Sequence, residues 1–192
     1  MAEFPQEVVN RFVQIVEHDI SLTCFEQWVY ETHQLEELLT TNEYLSLLCL
    51  DYRTERSLNT IEHLLYTHVS AARIETTLLQ LRLEAVIQRG PRILEALEWL
   101  WTRHYLGYEF LDTLRIPTWV DYIDSSSTSY DKLEQLIDEL YPDIAHAAKK
   151  VQQWLQDKTI VLTGPWNHWG MCQITDLRRR GERTGQAARD GE

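Results

Sequence analysis

The sequence is short of the residues that announce chemistry. It has three cysteines, Cys24, Cys49 and Cys172, widely spaced and odd in number. Disulfide frameworks and zinc knuckles need paired, closely spaced cysteines, so these read as reduced, mostly packing residues of a cytoplasmic protein. Long apolar runs are missing, the longest being stretches such as Leu47–Leu50 and Ile160–Leu162, which excludes a membrane-spanning helix. The opening MAEFPQEVVNRF has no apolar core of a secretory signal. There is no Gly-rich phosphate loop, His-Glu-x-x-His helix or Gly-x-Ser-x-Gly elbow. The seven histidines never fall four apart, the spacing that sets two imidazoles on one helix face, and adjacent carboxylates such as Glu36–Glu37 face different ways. No catalytic residue, metal site or cofactor is therefore expected.

Acid and aromatics are plentiful. Residues 1–177 carry 13 basic and 27 acidic side chains, a net −14, while 178–192 carry five and three, a net +2. An acidic body repels phosphate backbones and argues against nucleic-acid binding, but it steers a basic partner inward. The run Arg178–Arg180 reads as part of a flexible polar tail over 178–192.

Periodicity predicts an all-α chain with a small C-terminal β-hairpin, organised as one domain over 1–177. Val8, Val9, Phe12, Ile15 and Val16 share a stripe and give a first helix over 6–19. Thr23 with Glu26, and Thr40 with Glu43, have capping-box spacing, so 21–52 reads as short helices between capped breaks. Further helices are expected over 58–70 and 72–89, the second apolar around most of its girth and the most buried. Gly90–Pro91 should cap that helix and open the next, over 91–106, with glycine at the C-cap and proline at the first helical position. Tyr108–Leu114 stays in helical register, DSSSTS (124–129) is a loop, and Pro142 should separate a helix through Leu133–Leu140 from one through Ile144–Leu155. KTIVLT (158–163) and MCQITDL (171–177) flank the turn-rich GPWNHWG, which predicts the hairpin over 158–177.

The seven tryptophans cluster. Trp99 and Trp101 are two apart, so one helix face cannot bury both, and one should sit at an edge or interface. Tryptophan concentrates at binding hot spots, and loops on rigid elements present such groups. The candidate partner contacts are Trp119, Asp121, Tyr122 and Asp124 beside the serine loop, and Trp166 and His168 at the hairpin tip.

Three segments also carry a resemblance: residues 25–53 (FEQWVYETHQLEELLTTNEYLSLLCLDYR), 96–114 (ALEWLWTRHYLGYEFLDTL) and 149–178 (KKVQQWLQDKTIVLTGPWNHWGMCQITDLR). In this order they resemble helical immunity-type proteins of bacterial polymorphic-toxin and contact-dependent-inhibition systems. The resemblance implies a non-enzymatic protein that binds and blocks a cognate toxin domain, often a basic nuclease. The alternative expectation is a helical adaptor or regulatory subunit that self-associates, as a homodimer for example, through Trp99/Trp101 or the hairpin. A third is an enzyme with a site dispersed over Asp, Glu, His and Tyr residues.

Overall fold

A computed structural model of the chain describes residues 3–115 and 130–178, with side chains of the second stretch described from Ile137 onward. The fold is mostly helical with a small two-stranded antiparallel hairpin near the C-terminus. In order it runs α1 (Gln6–Val16), α2 (Leu22–Glu31), α3 (Gln34–Leu38), α4 (Thr41–Leu48), α5 (Arg56–His68), α6 (Ala71–Ile87), α7 (Ile93–Tyr105), a 3-10 turn (Glu109–Leu114), α8 (Tyr130–Gln156), β1 (Ile160–Thr163) and β2 (Gln173–Asp176). Contacts group these into two compact units, Met1–Thr77 and Leu78–Glu192, the division falling inside α6. No described helix is long and apolar enough to cross a membrane.

The first unit is built around rings. Phe12 meets Phe25 edge-on at 5.3 Å and Phe4 at 5.7 Å, and Phe25 meets Trp28 at 5.3 Å. Phe4, Phe12 and Phe25 are at most 1% exposed. Each such ring pair contributes about 0.5–1.5 kcal/mol beyond its buried area. The Thr40–Glu43 capping box forms as expected: the Thr40 hydroxyl accepts from the Glu43 N–H, and the Glu43 carboxylate accepts from the Thr40 N–H at 2.9 Å. Glu43 also meets Nε2 of the buried His68 at 2.9 Å, and that imidazole stacks on Phe4 at 5.0 Å. These bonds, from the Thr40 hydroxyl first, then its N–H and His68, lower the Glu43 carboxyl to about 2. Arg73 ties the start of the chain to α6, donating to the Phe4 carbonyl at 2.6 Å and to Glu3.

The second unit packs Leu97, Leu100, Tyr108, Phe110, Leu111, Leu114, Ile144, Ala148, Val151 and Leu155 with Ile160 and Leu162 of β1. From Ala71 to Ile87 no side chain is exposed, as the all-round apolar pattern of α6 predicts. It also buries Glu75, Thr77 and Arg82, which periodicity alone does not flag.

Several boundaries differ from expectation. α2 is capped by Ser21, whose extended backbone lets its hydroxyl accept from the Cys24 N–H at 3.2 Å; Thr23 lies inside the first turn. α6 ends in a Schellman turn with Arg89, not Gly90, in the left-handed position at φ 48°: the Gly90 N–H bonds the Ala85 carbonyl and the Arg89 N–H bonds Val86. α1 and α8 likewise end on the left-handed non-glycine residues His18 (φ 56°) and Lys158 (φ 57°). Pro91 is not helical, because α7 begins at Ile93. Pro142 does not open a new helix but sits inside α8. Proline removes one internal bond there, and contacts before and after it hold the helix in place: Asp138 pairs with Arg89 and the Tyr141 hydroxyl donates to the Ile87 carbonyl at 2.6 Å, while beyond the proline Gln152 donates to the Glu84 carboxylate at 3.0 Å.

Arg178 belongs to the folded unit rather than to a tail. Its side chain is 2% exposed, grips both oxygens of Asp176 and lies 4.7 Å from the centre of the Trp154 ring. Of the cysteines, only Cys172 packs; Cys24 and Cys49 are exposed.

Candidate protein-binding site at the hairpin tip

β1 and β2 pair in the register Ile160↔Asp176 to Thr163↔Gln173. Ile160 and Leu162 are buried, so the alternation of β1 fixes which face of the hairpin is covered. The connecting loop, 164–172, is held from within and from below. The Asn167 side-chain oxygen accepts from the Trp169 N–H at 2.9 Å and the Met171 N–H at 3.0 Å, while its own N–H donates to the Met171 carbonyl. This is an Asx turn, in which a carboxamide mimics a backbone carbonyl. Gly170, at φ 71°, closes it by donating to the Asn167 carbonyl at 3.0 Å, a backbone angle that favours glycine. Beneath the loop Met171 and Cys172 are buried, and the Cys172 N–H donates to the hydroxyl of the buried Tyr108 at 3.1 Å.

What this locked loop displays is Trp169. It is 62% exposed, its ring 4.7 Å from that of the exposed His168. Trp166 is half-buried and engaged with its surroundings. Of the two candidate tip contacts, then, His168 is exposed and Trp166 half-buried, and the largely exposed indole of the loop is that of Trp169. The asparagine two residues before Trp169 is the one local signal here, since an Asx turn bonds the N–H at that spacing and fixes the loop backbone. Trp119, Asp121, Tyr122 and Asp124 lie outside the described residues.

On α7 the conflict between Trp99 and Trp101 is resolved by partners one turn on. Both rings are half-buried. Trp99 is covered by the Arg103 guanidinium at 4.6 Å, and Trp101 stacks on Tyr105 at 5.7 Å. Tyr105 takes the exposed position, at 77%.

Clefts elsewhere are open. One of about 470 Å³ lies between the 3-10 turn and α8, lined by Arg115, Asp143, His146 and Lys150 among others. No group of three or more His, Cys, Asp or Glu side chains that could hold a metal occurs among the described residues. The clearly lowered carboxyls have structural causes: capping for Glu43, and bonds from Gln88 and Gln152 for Glu84. Comparison of the chain with protein-family models, curated protein sequences and solved structures finds no match.

Proposed function

We propose that this chain is a non-enzymatic protein-binding protein that neutralises a basic partner, a cognate toxin domain, by docking on it directly. The observation that carries the reading is Trp169, a largely exposed indole on a loop whose backbone is already fixed by Asn167 and by the buried Met171–Cys172 step. Loss of loop freedom on docking is small when the loop is preorganised, so burial of such a ring converts efficiently into affinity. The net −14 of residues 1–177 supplies the attraction for a cationic surface, and the immunity-type resemblance agrees with both.

The test is to express the protein encoded by the neighbouring gene with and without this chain. Growth rescue with a complex on gel filtration supports the reading; failure to rescue growth, with no complex, overturns it. Within such a complex, Trp169→Ala should speed dissociation roughly 30-fold, the effect of losing a hot spot of about 2 kcal/mol. Raising salt from ~50 to ~500 mM should slow association several-fold and leave dissociation nearly unchanged. A second reading, an adaptor that self-associates, draws on the exposed Tyr105 beside Trp101. Sedimentation of the chain alone separates the two, because the adaptor reading requires a concentration-dependent oligomer that Tyr105→Ser weakens.

A further inference from the structure

Charge is unevenly divided between the two units. Met1–Thr77 hold 13 acidic and four basic side chains, a net −9, and residues 78–192 hold 17 and 14, a net −3. From Phe12 to Tyr52, the stretch that forms α2, α3 and α4, there are eight acids and neither lysine nor arginine. Within it an apolar patch faces solvent. Tyr30 of α2 and Leu45 of α4 are each 51% exposed, and the exposed Cys49 lies one helical turn beyond Leu45, its N–H bonded to that carbonyl at 3.0 Å. The Tyr30 hydroxyl donates to the Glu26 carboxylate at 3.2 Å. Partial desolvation first, then the Glu26 carboxylate and the Cys49 thiol, raise that hydroxyl above its ordinary value, so the thiol lies beside the phenol. Beneath the patch the buried Tyr52 donates to the Leu47 carbonyl at 2.9 Å, and its ring lies 6.4 Å from that of Phe25, which ties α4 to α2.

Rings of the second unit are matched by the chain's own cations. Among the described residues Arg89 lies over Tyr141, Arg103 over Trp99, and Lys150 and Arg178 over Trp154. Tyr30 has a carboxylate at its hydroxyl, half of its surface open and, among the described residues, no cation over its ring. We infer that this α2–α4 face receives an arginine-bearing apolar segment of the protein partner. The guanidinium lies on the Tyr30 ring within reach of Glu26, and a neighbouring apolar side chain covers Leu45 and Cys49. The inference rests on the reading of the chain as a binder of a basic partner, and it gives that partner a contact on a different unit from Trp169. Arginine suits the face better than lysine, because a guanidinium stacks on a ring and forks onto a carboxylate at once. A second copy of the chain brings the same acids to the face and is repelled.

The probe is a synthetic peptide with arginine and leucine on one helical face, compared with its lysine and glutamate counterparts. Each is titrated into the full chain and followed by NMR at the backbone amides. The arginine peptide is expected to shift Tyr30, Leu45 and Cys49 saturably, the lysine peptide to bind more weakly, and the glutamate peptide to leave them unmoved. Tyr30→Leu should weaken binding roughly 2- to 5-fold, the worth of a cation on an exposed ring, while Tyr30→Phe keeps the ring and most of the affinity. Glu26→Gln should cost several-fold, because it removes the charged acceptor. Glu139→Gln takes an equal charge from an exposed position on α8 and should cost nothing, which separates local from whole-chain attraction. None of these three side chains is buried, so the variants keep the fold, as circular dichroism will check. Equal losses from Glu26→Gln and Glu139→Gln, equal losses from Tyr30→Leu and Tyr30→Phe, or equal binding of the glutamate peptide overturn the inference. So do Tyr30 shifts that grow with protein concentration alone, which assign the face to a second copy. Shifts confined to Trp169 and its loop remove this face and leave the hairpin-tip reading standing. No response anywhere overturns the inference too, and leaves the co-expression test of the proposed function to be decided by its own outcome.

Discussion

Arg178→Ala is the substitution whose outcome most directly tests the packing described above. The guanidinium is 2% exposed and reaches both Asp176 oxygens, with Nη2 at 2.6 Å and Nε at 3.0 and 3.1 Å. Removing one partner of a buried ion pair leaves the other charge uncompensated, a loss of about 3–5 kcal/mol in fully buried cases. Asp176 retains 25% of its side-chain exposure, so water relieves part of that penalty and the lower end applies, about 2–3 kcal/mol. Loss of the cation over Trp154 adds about 0.5–1 kcal/mol. The total of about 3 kcal/mol corresponds to a fall in Tm of roughly 6–12 °C for a chain of this size. Urea unfolding followed by tryptophan fluorescence, repeated for Asp176→Asn and the double variant, should return a coupling of about 1–3 kcal/mol. A loss below about 0.5 kcal/mol, the value of an exposed pair, would show that Arg178 is solvated and that the reasoning is wrong.

Glu43→Gln should cost about 1–2 kcal/mol at pH 7, less than the whole shift implies because the side chain is 24% exposed. The folded carboxyl lies at about 2 against 4.5 unfolded, so the stabilisation is present above pH 4.5 and fades toward pH 2. Urea midpoints of the two proteins should therefore converge over that window; a constant gap would contradict the assignment. Lys158→Gly relieves a left-handed lysine at φ 57° and should stabilise by about 0.5–1 kcal/mol, read as a higher urea midpoint, since the gain exceeds the added freedom of the unfolded chain. EDTA should move the Tm by less than about 1 °C, because metal-dependent folding requires a ligand set; a zinc-dependent rise would reveal one.

Legibility in the sequence followed the range of the interaction. The Thr40–Glu43 box could be read directly because both of its bonds span three residues, and the all-round burial of α6 because it is a property of one helix. Helix ends were harder. Left-handed positions favour glycine by a margin small enough for packing to override, and so Arg89, with Asp138 and Tyr141 beside it, takes the place expected of Gly90. Pro142 is a case of the same kind, since the Ile87 carbonyl bonds α8 before it and Glu84 bonds α8 after it, contacts that local sequence does not announce. Arg178 was opaque because Trp154, the ring it covers, stands 24 positions away and composition places the arginine among tail-like neighbours. At the candidate site, the loop and its aromatic content were visible. Which tryptophan faces out was not, since Trp166 and Trp169 are the same residue type in the same loop.

The burial of Phe4 has a practical consequence for anyone engineering the chain. Stacked on His68, packed against Phe12 and gripped at its carbonyl by Arg73, this residue makes the opening turn a structural member rather than a handle. A fusion, cleavage scar or trimming that displaces residues 3–5 acts as a mutation of the ring cluster. It also frees the imidazole that Glu43 bonds, so damage at the first residues would be felt at the cap of α4, some forty positions along the sequence.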